Sequence, residues 1–390
     1  MSLCFLSREN EDVLMIHKYK LNGFNIVLDV NSGGVHIVDD ATYDMLSYIE
    51  PPLSDEIPQD VLKALSALYS EEELRDAYHE ILTLYHEDVL FSSDDYEKFA
   101  DMMVSAPIKS MCLHVAHDCN LRCKYCFAST GDFGEGRKLL DAETGKKAID
   151  FLLKHSKGRR NLELDFFGGE PLMNMPVIKE VVEYARSKEA AYNKKFRFTV
   201  TTNGILLNDE ITDYLNREMY NIVLSIDGRK EVNDKMRPGI NGKGSYDVIL
   251  PKFKDLVAKR QEGQYYVRGT FTKYNLDFAQ DVLHLHDAGF DQISVEPVVT
   301  DPKNDYALTE QDLPRIFAEY ETLAKALIER KKKGNGFNFF HFMIDLDQGP
   351  CAIKRLRGCG CGNEYVAVTP DGDIYPCHQF VGMEEFKMGS

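Results

Sequence analysis

Cys119, Cys123 and Cys126 stand C-x3-C-x2-C within the run His117-Asp118-Cys119-Asn120-Leu121-Arg122-Cys123-Lys124-Tyr125-Cys126-Phe127. A mostly apolar stretch, Met111 to Ala116, precedes them, and Asp118 and Asn120 are loop formers. The pattern reads as a strand running into a loop whose thiols can converge on one point. Three converging thiolates suit a [4Fe–4S] cube held by cysteine sulfur, with one iron left open. Zinc is the competing reading, but a structural zinc wants four ligands, usually a C-x2-C and a second pair, and no such pair lies nearby. A merely structural cysteine cluster is the third reading; dense cysteine outside a disulfide scaffold usually signals redox chemistry or metal. A second group, Cys351, Cys359, Cys361 and Cys377, closes the chain. Four thiolates there would satisfy zinc as well as a cube.

These groups need elements to carry them. From Ile108 the pattern alternates strands with helices of ten to fifteen residues, the mark of a parallel α/β sheet. Strands are predicted at 111–117, 162–167, 196–201, 221–226, 265–271 and 292–297. Helices are predicted at 142–155, 176–187, 209–217, 246–260, 276–288 and 309–332, with Pro251 kinking the fourth or marking its start. Six units are too few for a closed eightfold barrel, so an open, partial (β/α)6 barrel is expected. Its site would lie at the C-terminal ends of the strands. The first end is the cysteine loop. The second carries Phe167-Gly168-Gly169-Glu170-Pro171, whose glycines let backbone approach a ligand; the same text also suits a tight turn before a helix. The third carries Thr202-Asn203-Gly204, the fourth Ser225-Ile226-Asp227-Gly228 and then Met236-Arg237, and the fifth Arg268-Gly269-Thr270. Val295-Glu296-Pro297 closes the series and is expected to line an apolar pocket.

Ahead of the barrel, residues 1–100 hold 6 Lys and Arg against 21 Asp and Glu, a net −15 of the chain's −17. That asymmetry marks a separate acidic module, a poor phosphate binder that favours a basic partner. Strand-like patches at 15–26 and 35–38 flank turn chemistry at Asn31-Ser32-Gly33-Gly34 and read as a hairpin. Helices follow at 41–49, 59–68 and 70–86, the last with a Ser70/Glu73 capping box, and Val89-Leu90-Phe91 reads as a returning strand. The expected domains are therefore 1–92, an acidic linker at 93–107, a barrel at 108–333 and a cysteine-rich extension at 334–390. In that extension Pro370-Asp371-Gly372-Asp373 reads as a hairpin turn.

Nine cysteines in 390 residues, clustered rather than spread, suit metal binding in a reducing compartment. The first residues lack a signal-type apolar core, and no run of about 18 apolar residues exists. A cytoplasmic protein is expected, with neither membrane nor nucleic acid as partner.

The C-x3-C-x2-C spacing, with aromatic Tyr125 before the last cysteine, resembles the signature of the radical S-adenosylmethionine (SAM) enzymes, whose usual core is a partial (β/α)6 barrel. The resemblance implies that the open iron binds the amino and carboxylate groups of SAM and that one electron releases a 5′-deoxyadenosyl radical. Gly168-Gly169-Glu170-Pro171 resembles the GGEP motif of that family, so Glu170 or the preceding carbonyls would take the methionine ammonium group. The resemblance implies Tyr125, Gly168, Gly169, Glu170, Asn203, Ser225, Arg237 and Arg268 as cofactor-binding residues, with Asn203 and Ser225 as polar contacts to the cofactor. Arg268 could pair with its carboxylate, and Arg237 or Arg268 could equally be an ordinary salt-bridge partner. The resemblance assigns no catalytic side chain.

Residues 1–92 resemble a winged helix, in particular the recognition element of enzymes that modify ribosomally made peptides (RiPPs). There a leader peptide adds a strand to the sheet edge; a cap that packs on the barrel is the alternative. Cys361-x10-Gly372-x4-Cys377 resembles the opening of the SPASM extension, which binds auxiliary [4Fe–4S] clusters. The further SPASM cysteines do not follow before Ser390, so one auxiliary cluster is expected, with Cys351, Cys377 and either Cys359 or Cys361 (Cys361 by spacing) as ligands. Met15-Ile16-His17-Lys18-Tyr19-Lys20-Leu21, Val267-Arg268-Gly269-Thr270-Phe271-Thr272 and Gly358-Cys359-Gly360-Cys361-Gly362-Asn363-Glu364-Tyr365 resemble the text of the maturases that form cysteine-to-threonine thioethers in SCIFF peptides. Those maturases imply a cysteine-rich precursor peptide bound through its leader and a reductant such as ferredoxin or flavodoxin. An anaerobic sulfatase-maturing enzyme is an alternative, disfavoured because His378 stands where that family has an aspartate. Another radical SAM peptide modifier, or a peptide-binding iron–sulfur partner without catalysis, completes the alternatives.

Overall fold

A computed structural model describes residues 16–94, 96, 99, 106–260, 263–346, 351, 354, 356 and 358–390. The chain divides into two compact units: Met1–Val104 with Ile344–Cys359, and Ser105–Met343 with Gly360–Ser390. Most of the linker expected at 93–107 lies outside the described residues.

In the first unit, β1 (Ile16–Leu21), β2 (Phe24–Asp29) and β3 (Val35–Val38) form an antiparallel sheet in that order. The β1–β2 connection is Asn22-Gly23, with φ of 52° and 83°. Both lie in the left-handed region that a two-residue hairpin turn requires, which is why Asn-Gly sits there. The expected hairpin is thus the second half of a three-stranded sheet.

Helices α1 (Asp40–Met45), α2 (Gln59–Leu65) and α3 (Glu71–His86) follow. Ser70 and Glu73 form the expected capping box at the start of α3, worth about 1 kcal/mol. The helices bury Met45, Leu65, Leu74 and Ile81 with Val27 of β2 in a core of this unit's own. The returning strand at Val89–Phe91 does not form. Phe91 takes φ of 54°, outside strand geometry. The segment is held through side chains instead: His36 Nε2 lies 2.9 Å from Val89 O, and Ser92 N donates to Asp29 Oδ2 at 2.9 Å.

The second unit is built on a ten-stranded sheet. Its strands are β4 (Ser110–His117), β5 (Lys138–Leu139), β6 (Asn161–Gly168), β7 (Lys195–Thr202), β8 (Asn221–Ser225), β9 (Gln264–Phe271), β10 (Gln292–Pro297), β11 (Asn338–Phe339), β12 (Tyr365–Val368) and β13 (Ile374–Tyr375). Their order is β11-β10-β9-β8-β7-β6-β4-β12-β13, with β5 also on β4. All neighbours from β11 to β12 run parallel; β13 and β5 pair antiparallel.

The crossover helices are α4 (Ala142–His155), α5 (Met175–Tyr192), α6 (Asp209–Glu218), α7 (Lys230–Met236), α8 (Tyr246–Lys259), α9 (Phe278–Asp287) and α10 (Leu313–Lys332). Pro251 lies inside α8. Strand residues alternate between two faces. In β7, Phe196, Phe198 and Val200 enter the helix-facing core with Leu162, Leu164 and Phe166 of β6. Their neighbours Thr199 and Thr201 face the other way and stay half-buried. β4 is buried along its whole length, because β12 covers the edge it would otherwise present. The partial (β/α)6 barrel is therefore present, widened by strands on both sides. The C-terminal ends of its strands carry the candidate site.

Candidate functional site

β4 ends at His117 and the chain turns across the neighbouring strand ends as the cysteine loop. Two backbone bonds and one from a side-chain hydroxyl pin it to distant segments. Arg122 N donates to Pro238 O at 2.7 Å, Lys124 N to Met236 O at 2.9 Å, and Tyr306 Oη to Lys124 O at 3.0 Å. The short helix α7, which the sequence reading passed over, thus ends as a clamp for the loop. Leu121 N and Asn203 Nδ2 point at Cys119 Sγ, at 3.4 and 3.6 Å.

Burial pushes the Cys119 thiol up to about 12 and the Cys123 thiol to about 11, and raises Cys126. Neighbouring thiols add to the rise at Cys119 and Cys123. These thiols keep their protons near neutrality, and a bound metal would displace them. Among the described residues no three His, Cys, Asp or Glu side chains already stand in metal-holding geometry. The donor chemistry fits a sulfur-ligated cluster all the same: three electrostatically coupled thiols with N–H donors aimed at one sulfur, the contacts that tune such clusters.

The Gly-Gly-Glu-Pro segment ends β6. A Cβ on Gly168 (φ 130°) would lie 2.1 Å from Ala116 O, and one on Gly169 would lie 2.2 Å from Asp118 O. Gly169 N and Glu170 N donate to those same two carbonyls at 2.8 Å. The close approach expected toward a ligand is therefore made first to the backbone of the cysteine loop. Glu170 is fully buried. Its Oε1 accepts from Leu172 N at 3.0 Å and Thr202 Oγ1 at 2.7 Å, and Oε2 from Asn203 N at 2.8 Å. Burial raises its pKa to about 7 against those bonds. One acceptor direction on Oε2 is left over from these three bonds.

Asn203 is tied down at both ends of its amide: Nδ2 donates to Asn120 Oδ1 at 2.7 Å, and Oδ1 accepts from Ile205 N at 3.1 Å. Ser225 pairs in register with Arg268, and Arg268 with Ser294, so the three form a row across β8, β9 and β10. Val295 is wholly buried in the helix-facing core rather than lining the site. Glu296 is what β10 presents, with Ser294 Oγ at 2.5 Å and His341 Nε2 at 2.7 Å. Arg237 is no surface ion-pair partner. It is buried and donates from Nη1 to Tyr125 Oη at 2.9 Å.

The tail adds His378 to the site, a residue whose type and spacing alone give no such placement. His378 Nδ1 lies 3.0 Å from Tyr365 Oη, and its ring packs 5.1 Å from Phe167 and 5.6 Å from Phe127, centroid to centroid. Burial, with the charge of Arg268, pushes its pKa down to about 4.

Of the tail cysteines, Cys351 and Cys359 are exposed and fall in the first unit, whereas Cys361 and Cys377 are half-buried in the second. Gly362 N donates to Pro376 O at 3.1 Å, which sets the backbones next to Cys361 and Cys377 side by side.

A family model described as a 4Fe-4S single cluster domain matches residues 110–250, from β4 into α8 and across the three loop cysteines. The chain belongs to the radical SAM/SPASM enzymes.

This radical SAM enzyme is 31% identical over 281 residues to an uncharacterised protein of Methanocaldococcus jannaschii, covering 71% of this chain and 87% of that one. It is 26% identical to the cysteine-type anaerobic sulfatase-maturating enzyme of Clostridium novyi, over 70% of this chain and 73% of that one. It is also 24% identical to the antilisterial bacteriocin subtilosin biosynthesis protein AlbA of Bacillus subtilis, over 85% and 70%. Among solved structures, native anSMEcpe with bound AdoMet aligns with a TM-score of 0.60 at 20% identity, covering 72% of this chain and 78% of that one. Streptococcus suis SuiB bound to precursor peptide SuiA aligns with a TM-score of 0.53 at 16% identity, covering 96% and 85%. At such identities the structural likeness is one of fold. No helix among the described residues is long and apolar enough to cross a membrane.

Proposed function

We propose that this radical SAM enzyme modifies a ribosomally made, cysteine-rich peptide, joining Cys sulfur to a carbon of an acceptor residue such as Thr. The observation that carries the reading is the meeting of the cysteine loop with tail residues at the end of β6. Phe127 and Phe167 pack on His378, next to Cys377. A site for SAM cleavage and a SPASM-like segment therefore adjoin, as a peptide modifier needs.

In this reading Cys119, Cys123 and Cys126 hold the [4Fe–4S] cluster, and the tail cysteines hold at least one auxiliary cluster. When bound, the cluster and SAM supply the 5′-deoxyadenosyl radical. The protein's part is to orient and to exclude water. Glu170 Oε2 offers its remaining acceptor direction to the methionine ammonium group. Arg268, in its row between Ser225 and Ser294, offers a guanidinium to a carboxylate. Asn203 sits against both the Cys119 sulfur and Asn120, and so positions the loop as well as the ligand. Phe127, Phe167 and His378 form the apolar wall that shields the reacting face. Ferredoxin or flavodoxin is the proposed electron source.

With SAM, reductant and a cysteine-rich precursor, the enzyme is expected to form 5′-deoxyadenosine and a product short of one pair of hydrogens per crosslink. Mass spectrometry after thiol alkylation should show free thiols falling in step. The likeness to the Clostridium novyi enzyme favours a second reading, oxidation of a Cys to an aldehyde, which would appear as sulfur loss. Peptide binding without 5′-deoxyadenosine would overturn the enzyme reading.

The acidic N-terminal unit is the proposed leader-binding element, on the support of its separate core and short antiparallel sheet. Deleting residues 1–91 should weaken leader affinity at least about tenfold, roughly 1.4 kcal/mol, while SAM cleavage without peptide persists. Fluorescence anisotropy of a labelled leader reads the first effect. Unchanged affinity would favour a packing cap.

A further inference from the structure

Three side chains beside the cysteine loop form a chain that the proposed function leaves without a task. Tyr125 Oη donates to both oxygens of Asp227 at 2.7 Å and accepts from Arg237 Nη1 at 2.9 Å. Asp227 is wholly buried, and its Oδ1 also accepts from Thr270 N at 3.1 Å. Arg237 is 8% exposed, and its Nε is buried with no hydrogen-bond partner among the described residues. Arg237 N donates to Asn233 O at 2.7 Å, and Arg237 O accepts from Ser245 Oγ at 2.8 Å, so its backbone is fixed where α7 clamps the loop.

A buried guanidinium without a full set of partners is costly, and this chain holds one in place. The charges of Arg237 and Asp227 both meet the loop itself: Tyr125, which each of them contacts, stands between Cys123 and Cys126, and Lys124 N donates at 2.9 Å to the carbonyl of Met236, the residue before Arg237. A surface charge would be screened by water, but these two lie where the effective dielectric constant is low.

We propose that Tyr125 and Asp227 are positioning residues that hold the Arg237 guanidinium beside the cysteine loop, forming a fixed charge pair that sets the reduction potential of the cluster held there. Reduction adds negative charge to the cluster. A nearby cation favours the reduced form and a nearby anion opposes it, so the two members of the pair act with opposite sign. Tyr125 accounts for the geometry: it bridges carboxylate and guanidinium, which approach each other only to 3.9 Å. This inference rests on the reading that Cys119, Cys123 and Cys126 hold the cluster.

The test is potentiometric titration of the reconstituted full-length protein without SAM, followed by electron paramagnetic resonance, with iron counted in each variant. The tail cluster is removed from the signal by Cys361→Ser and Cys377→Ser in every sample. Arg237→Gln should shift the potential to more negative values and Asp227→Asn to more positive ones. Arg237→Lys should stay between Arg237→Gln and the wild type. General damage to the site would move the first two in the same direction. Shifts of one sign, or none with iron intact, overturn the proposal. An unchanged SAM-free potential with weakened SAM binding in Arg237→Gln would also overturn it, and would make Arg237 a carboxylate contact. If Arg237→Gln fails to hold iron, a positive shift in Asp227→Asn supports the proposal and its absence overturns it. Wild-type protein whose loop takes up no iron would instead overturn the ligand assignment beneath it.

Discussion

Replacing Cys119, Cys123 and Cys126 together with Ala should reduce 5′-deoxyadenosine formation to background while the protein still folds. The three side chains hang from a loop whose backbone is tied elsewhere, at Arg122 to Pro238 and at Lys124 to Met236. Removing thiols leaves those bonds in place. Nor does it open the helix-facing core, to which none of the three belongs. The loss is therefore expected in chemistry and not in thermal stability, which circular dichroism melting would show.

The same variant isolates the tail. If Cys351, Cys359, Cys361 and Cys377 supply an auxiliary [4Fe–4S] cluster, iron should settle at about four per chain, the content of one cube. Residual 5′-deoxyadenosine would remove the central assignment. Zinc in place of iron would remove the auxiliary one.

A single methyl group at Gly169 should be almost as damaging. The Cβ of Gly169→Ala would lie 2.2 Å from Asp118 O and 2.8 Å from Gly131 O, both backbone atoms that cannot rotate away. The end of β6 and the cysteine loop must separate, breaking the paired bonds from Gly169 N to Ala116 O and from Glu170 N to Asp118 O. Overpacking of this kind costs about 1–3 kcal/mol. The larger effect is on geometry, since a displacement of about 1 Å near reacting groups can cost about 100-fold in rate. SAM cleavage is expected to fall by roughly that factor, with a modest drop in melting temperature. Gly158→Ala is the control. Its Cβ would meet nothing within 4 Å, so rate and stability should hold. Equal effects at the two glycines would show that Gly169 is not a close-approach position.

Much of the fold was legible because its elements are locally coded. Helix α4 and strand β10 occupy the spans read from periodicity, Ala142–His155 and Gln292–Pro297. The Ser70/Glu73 cap formed as its spacing implied. In each case the information lies within a few residues: an apolar repeat of the right period, or a side chain reaching its own backbone. The same holds for the cysteine loop, whose three thiols are neighbours in the chain before they are neighbours in space.

What the sequence could not show depends on pairs far apart in it. Val89–Phe91 has strand composition, but a tie from Ser92 back to Asp29 and a left-handed Phe91 decide against a strand. β12 has four residues and no helix to announce it. It joins β4 beside an ion pair at 2.7 Å between Lys109 and Glu364, 255 positions apart.

The site divides in the same way. Residue types and spacing named the thiols, Glu170 and Asn203. Only the tertiary structure turned Gly168 and Gly169 toward the loop backbone, brought His378 onto Phe167, and joined Tyr125 to Arg237 across 112 residues. Local chemistry is written in short-range order. The electrostatics of a buried site depends on which charges share a low-dielectric space, and chain topology alone decides that.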